Sequence, residues 1–287
     1  MTLLSYENTS RTVETARGTL HYHEAGEGPP LLLLHGSGPG VTGWTNFQGN
    51  IAFFAERFRT FVLDLPGYGQ SPPVEGHPVM ATIDSVLAFM DAMGIERADI
   101  IGNSFGGMVG GQIAARSPER VRRFVSIGGI GVYTLSSFPS EGLTRLVEFV
   151  ENPTREMLTA WMRSMVFDPA TLTEEMIDER FRSAHDPVVM ATSRKVYSRE
   201  AFNAIAAATR GPNATDAFSH LTSIKAPTLL AWGRDDKVTP LDGSLLPMRL
   251  IPNCELHVFP NCGHWAMIER KTEFESAVMA FLTRPDA

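Results

Sequence analysis

The chain is poor in cysteine. Of its 287 residues only Cys254 and Cys262 carry a thiol. Two cysteines give no disulfide framework, so a small stapled secreted scaffold is excluded and a reducing cytoplasm is the expected setting. Positive charge is also scarce: 25 Lys and Arg face 32 Asp and Glu, a net charge of −7. With no basic tract, a nucleic-acid partner is not expected, although one local cation can still hold an anionic substrate inside an acidic protein. No apolar run reaches the length of a membrane span. The start, Met1-Thr2-Leu3-Leu4-Ser5-Tyr6-Glu7, lacks the basic-then-apolar order of a signal peptide. No internal repeat or low-complexity segment occurs. No cluster of His, Cys and carboxylates has metal-ligand spacing, so no metal and no organic cofactor are expected.

What is present is an alternation of short apolar runs and helical patterns. A hydrophobic content of 43% supports a substantial core, and the length suits one large domain or a domain with an insertion. Leu31 to Leu34 is wholly apolar, as a strand buried on both faces would be. Phe58 to Leu63, Ala98 to Ile101, Arg122 to Ile127, Ala226 to Trp232 and Cys254 to Phe259 also read as strands, and Val13 to Glu24 as an early hairpin. Ala81 to Met93 places Ile83, Val86, Leu87 and Met90 on one helical face. This βα order predicts an α/β fold with a parallel sheet covered on both faces. From about Thr134 to about Arg210 the pattern turns helical, with Met157, Trp161, Met162 and Met165 close together. That region reads as a helical lid between two strands, and an apolar lid over a polar floor makes a substrate pocket.

The most informative stretch is Gly102-Asn103-Ser104-Phe105-Gly106-Gly107. It follows a strand-like run and precedes a small-residue helical segment, which is the setting of a G-x-S-x-G nucleophile elbow. The turn is strained, so positions two residues either side of the serine must be nearly devoid of side chain. The serine hydroxyl is thereby lifted to a helix N-terminus, where amide dipoles favour developing negative charge.

A nucleophilic serine needs a base, an acid to orient it, and an oxyanion hole. In the chain order Ser, acid, His, His264 is the candidate base, because it lies in the loop Pro260-Asn261-Cys262-Gly263-His264-Trp265 after a strand. His21, His23 and His257 fall in strand patterns, and His35 shapes a glycine loop. The acid is expected in Gly233-Arg234-Asp235-Asp236-Lys237-Val238-Thr239-Pro240, where composition does not separate Asp235 from Asp236. The glycine loop His35-Gly36-Ser37-Gly38-Pro39-Gly40 lacks the Lys-Ser/Thr ending of a phosphate loop and the G-x-G-x-x-G spacing. It reads as an oxyanion loop, with the amides of Ser37 and Phe105 as donors.

Together these segments, with Gly43-Trp44-Thr45-Asn46, Trp232-Gly233-Arg234-Asp235-Asp236 and Cys262-Gly263-His264-Trp265, resemble the α/β-hydrolase fold. More narrowly they resemble the meta-cleavage product hydrolases, serine enzymes that cut carbon–carbon bonds in ring-fission products of aromatic compounds. The resemblance implies a mostly parallel central sheet flanked by helices, residues 1–133 and 211–287 forming the core and 134–210 an inserted helical lid. It points to Asp236 over Asp235 as the acid of a Ser104, Asp236, His264 triad. Thr173-Glu174-Glu175-Met176-Ile177-Asp178-Glu179-Arg180-Phe181 is similar to the lid segment that carries a substrate-binding arginine, which implies Arg180; taken alone, Arg180 reads as a solvated helix-face residue. Gly38, Asn46, Asn103 and Trp265 are implied in the substrate pocket. The implied substrate is a small-molecule 2-hydroxy-6-oxohexa-2,4-dienoate, turned over through a keto tautomer and an acyl-serine in a cytoplasmic homodimer without a cofactor. The same triad would serve a carboxylesterase or a lactonase, and a non-catalytic ligand-binding relative of the fold is the alternative from another class.

Overall fold

The computed structural model describes residues 4–131, 135–210 and 218–285, with no side-chain description at 208–210. The expected boundaries, between Tyr133 and Thr134 and at Gly211, fall outside the described residues, as does the start Met1 to Leu3.

Eight strands make one sheet: β1 (Ser10–Thr15), β2 (Gly18–Ala25), β3 (Pro30–Leu34), β4 (Arg59–Leu63), β5 (Ala98–Asn103), β6 (Val121–Ile127), β7 (Thr228–Gly233) and β8 (Cys254–Phe259), in the order β1-β2-β4-β3-β5-β6-β7-β8. The hairpin β1-β2 and its junction with β4 are antiparallel. Every pairing from β4 across to β8 is parallel. The alternation of side chains along a strand divides the core. Leu31 and Leu33 pack on one face with Val62, Ile101 and Val125. Leu32 and Leu34 pack on the other with Phe61, Leu63 and Ile100. All four leucines are fully buried, which is why the run carries no polar residue.

The helices of ten or more residues are numbered here in chain order. α1 (Pro78–Ala92) and α2 (Phe105–Arg116) cover the second face through Ile83, Val86, Phe89, Val109 and Ile113. α3 (Glu141–Glu151), α4 (Arg155–Ser164), α5 (Glu174–Ala184), α6 (Pro187–Val196) and α7 (Arg199–Arg210) all stand between β6 and β7. Their starts are set locally: Ser140, Thr154 and Thr173 each accept a hydrogen bond from a first-turn amide, and Asp186 does so ahead of Pro187. Their apolar sides, with Leu146, Phe149, Leu158, Trp161, Met162 and Ile177, join the cluster of the first sheet face. α8 (Lys271–Leu282) closes that face with Phe274, Val278 and Phe281.

The apolar pattern from Ile268 to Leu282 is that of one helical stretch. The structure breaks it. A short helix, Ala266–Glu269, ends at Arg270 (φ −123°, ψ 43°), and α8 starts after it. The Glu269 carboxylate explains the break, because it is drawn back to accept from the amides of Gly263 at 2.9 Å and Phe167 at 2.6 Å. Among the described residues no helix is long and apolar enough to cross a membrane.

Candidate active site

Ser104 sits between the last residue of β5 and the first of α2, with φ 49° and ψ −112°. A side chain in this left-handed region is strained, and the surroundings enforce it. The Ser104 amide donates to Ile127 O of β6 at 2.8 Å, pinning the turn to the sheet. A Cβ at Gly106 would stand 2.1 Å from Leu34 O, and one at Gly102 would stand 2.3 Å from the Gly106 carbonyl. Glycine at both places is therefore a packing requirement of strand, turn and helix together.

The other polar parts come from the C-terminal ends of the neighbouring strands. Asp236 follows β7 and His264 follows β8. His264 Nδ1 lies 2.7 Å from Asp236 Oδ2. A carboxylate only accepts, so Nδ1 carries the proton and Nε2 is left as an acceptor. Both residues are buried. Asp236 also accepts from the amides of Val238 at 2.7 Å and Thr239 at 2.9 Å, and from the Thr239 hydroxyl at 2.8 Å. Three donors fix the direction of this carboxylate. Asp235 instead pairs with Arg234 at 3.2 Å, and its amide donates to Cys262 O at 2.9 Å. The structure thus brings Asp236, not Asp235, onto the imidazole. The backbone of His264 is held by the helical insertion, since its amide donates to Met165 O at 2.7 Å.

The glycine loop after β3 faces the elbow. His35 at its base is fully buried, and burial pushes its pKa down to about 4. Its Nε2 accepts from the Leu65 amide at 2.9 Å, so its Nδ1–H donates to Gly36 O. This neutral histidine is a brace for the loop. Asn46 Oδ1 accepts from the Gly36 amide at 3.3 Å, and Asn103 Nδ2 donates to Ile127 O at 3.3 Å. The amides of Ser37 and Phe105 make no hydrogen bond among the described residues, which leaves two donors beside the serine. Two tyrosines that the sequence did not suggest grip Ser37. The Tyr68 hydroxyl donates to Ser37 O at 2.9 Å, and the Tyr197 hydroxyl pairs with Ser37 Oγ. Burial raises the Tyr197 pKa to about 12, so the phenol stays protonated.

Arg180 of α5 is not a solvated helix-face residue. It is only 9% exposed, and burial lowers its pKa to about 10. No carboxylate reaches it among the described residues. Its one hydrogen bond is to Pro39 O at 3.3 Å, and the rings of Trp161 and Trp265 lie 5.9 Å away on either contact. Trp161 also packs onto Gly38, where a Cβ would come within 2.5 Å of its ring. Ser37, Gly38, Asn46, Asn103, Ser104, Arg180, His264 and Trp265 all line one cavity. Among the described residues no group of three or more His, Cys, Asp or Glu is placed to hold a metal ion. Of the residues missed, Thr239 had a local signal, a hydroxyl three positions after an Asp in a turn. Tyr197 had none.

A serine on an elbow, a buried His–Asp pair and a glycine loop at the strand ends of a mostly parallel sheet define an α/β hydrolase. The family model described as alpha/beta hydrolase fold matches residues 29–271. A 2-hydroxy-6-oxononadienedioate/2-hydroxy-6-oxononatrienedioate hydrolase of Pseudomonas sp. is 36% identical over 277 residues, 93% of each chain. The 2-hydroxy-6-oxo-6-phenylhexa-2,4-dienoate hydrolase of Comamonas testosteroni is 35% identical over 293 residues, covering 98% of this chain and 99% of its own. Among solved structures, a serine-to-alanine variant of a meta-cleavage product hydrolase from Pseudomonas fluorescens IP01, in complex with acetates, superposes with a TM-score of 0.84 at 29% identity, covering 95% of this chain and 97% of that one. The chain belongs to the meta-cleavage product hydrolases of the α/β-hydrolase fold, enzymes that hydrolyse a carbon–carbon bond.

Proposed function

We propose that this chain cleaves the C5–C6 bond of 2-hydroxy-6-oxohexa-2,4-dienoates with Ser104 as nucleophile. The dienol first takes a proton at C5 and becomes a keto form, which gives the breaking bond an electron sink; His264 moves that proton. Ser104 then passes its proton to His264 Nε2 and attacks the C6 carbonyl. The amides of Ser37 and Phe105 receive the oxyanion. Asp236 holds the imidazole and stabilises its cation without taking the proton. Collapse breaks C5–C6, the electron pair runs to the 2-oxo group, and the dienolate takes the proton from His264 Nε2 to leave as a 2-hydroxydienoate, which returns His264 to its neutral form. Water, activated by His264, frees the carboxylic acid from the acyl-serine.

The observation that carries this reading is Arg180. A buried cation with no ion-pairing carboxylate among the described residues, in the same cavity as the serine, suits a substrate that brings its own carboxylate. An esterase acting on neutral esters has no use for it. Gly38, Asn46, Asn103 and Trp265 complete the substrate's surroundings, and the helices of 134–210 act as the lid. A cytoplasmic setting is supported by the two unpaired cysteines. A homodimer is the assembly that the family resemblance supports, and light scattering on the purified chain checks it.

Stopped-flow spectroscopy tests the mechanism. Ser104→Ala removes the nucleophile and is expected to lower kcat by about 10⁶ while leaving ketonisation in place. His264→Ala is expected to slow both ketonisation and cleavage. Ser104→Ala activity above a few per cent of wild type, or normal ketonisation in His264→Ala, would break the assignment.

A further inference from the structure

We infer that the substituent on C6 of the substrate is uncharged and apolar, an aryl or alkyl group, and not a chain that ends in a second carboxylate. The inference rests on the proposed function and narrows it. The two relatives described above are named for substrates that differ at this end: one is a dioate, the other carries a phenyl group. Overall identity, 36% and 35%, does not choose between them.

The cavity does, because its chemistry is unequal at its two ends. Arg180, Asn46 and Trp265 border both the main cavity and a second one that lies against Gly40, Thr45, Met176 and Glu179. Those three residues therefore mark one end. The Trp161 indole N–H is buried, has no hydrogen-bond partner among the described residues, and its ring lies 5.9 Å from the guanidinium. The cation lies at that end, with a buried indole donor beside it. Leu143, Leu146, Met165 and Val238 border the main cavity only. They come from α3, from the residue that ends α4, and from the loop just past Asp236. α3 and this loop are in direct contact, since a Cβ on Gly142 would stand 2.6 Å from the Val238 side chain. The Tyr197 and Ser37 hydroxyls, which also border the main cavity, hydrogen-bond each other.

Among the described residues that line the main cavity, Arg180 is the sole Lys or Arg. Once it holds the C1 carboxylate, a second carboxylate at C6 would lie among leucines, a methionine and a valine with no counter-charge. Desolvating an unpaired carboxylate is a large penalty. An aryl or alkyl group at the same place gains from burial instead.

The test compares kcat/KM of the purified wild-type chain on 2-hydroxy-6-oxononadienedioate with the better of its 6-phenyl and 6-isopropyl hexadienoate counterparts. The neutral-substituent substrate is expected to be favoured by about 100-fold. A preference below about 10-fold, or one for the dioate, overturns the inference while leaving the proposed function standing. If no dienoate is consumed and a neutral nitrophenyl ester is, the proposed function fails and takes this inference with it. Leu143 is half-buried, so Leu143→Arg can place a guanidinium at the apolar end with its stem still covered. It is expected to move the ratio at least about 10-fold towards the dioate. A folded Leu143→Arg chain with an unmoved ratio shows that this end does not receive C6; should the variant not fold, the wild-type ratio decides alone.

Discussion

Replacing Arg180 by glutamine separates binding from folding, because the structure gives the guanidinium so little to do in the free protein. Burial takes its pKa down from the ordinary arginine range to about 10, with Glu179 pulling the other way. At neutral pH the group is still charged, so the folded chain carries a desolvated cation. A folded-state pKa below the unfolded one means that folding opposes the charge. The penalty is fully present below about 10 and is relieved only as pH rises beyond that towards the ordinary arginine range. A shift of that size corresponds to roughly 3 kcal/mol. Against it stand one long hydrogen bond, to Pro39 O at 3.3 Å, and two tryptophan rings at 5.9 Å. A charged hydrogen bond contributes about 1.5 kcal/mol at the low end, and a cation over a ring about 0.5–1 kcal/mol. The two sides nearly cancel.

Arg180→Gln should therefore leave the melting temperature of the free enzyme within about 4 °C of wild type. Dienoate turnover should not be spared. Losing a charged hydrogen bond to the substrate carboxylate removes about 1.5–3 kcal/mol, or about 10- to 150-fold in kcat/KM, with KM raised. Decay of the dienolate absorbance measures this, and release of nitrophenolate from a small neutral ester serves as the control, expected within about twofold of wild type. Equal losses on the two substrates would return Arg180 to a structural role. So would a fall in melting temperature of about 8 °C or more with the ester rate reduced.

Asp236→Asn should be far more damaging than Asp235→Asn, by about 10⁴ in kcat, since the amide favours the wrong imidazole tautomer while Asp235 serves only Arg234 and the loop; reversed ranks in steady-state rates would move the acid to Asp235. Tyr197→Phe should loosen the Ser37 loop and lower kcat by about 3- to 30-fold, with the melting temperature changed by only a few degrees, as the loss of one hydrogen bond implies; an unchanged kcat would mean that the Tyr197–Ser37 pair does not support the oxyanion donor. His35, buried and neutral with a pKa of about 4, should make stability fall as pH drops from 6.5 to about 4, because the unfolded chain takes up a proton that the folded chain refuses. Its share is about 3 kcal/mol, and urea midpoints that stay level across that range would refute it.

The parts of this protein that were readable in one dimension are those whose chemistry is local. The elbow shows in the sequence because its strain is relieved within five residues: Gly102 and Gly106 must lack a Cβ for the same turn that lifts Ser104. The buried strands show because Leu31 to Leu34 meet apolar neighbours on both faces. Asp235 and Asp236 could not be separated by composition. Their roles diverge through geometry alone: one amide bond to Cys262 O and one carboxylate facing His264. Arg180 was harder still. Its segment is acidic and amphipathic, as an exposed helix would be, and nothing local reveals that the guanidinium turns inward between two tryptophans. Tyr197 lay beyond sequence reasoning. It meets Ser37 across 160 residues, and a helix pattern says which residues share a face but not which distant loop that face will touch. The nucleophile and base thus belong to short-range sequence, whereas the groups that select the substrate belong to the packing of the helices between β6 and β7 on the sheet. Two chains can therefore share the elbow and divide on the substrate, and on the reading proposed here a change at Leu143 should redirect this one without touching the elbow.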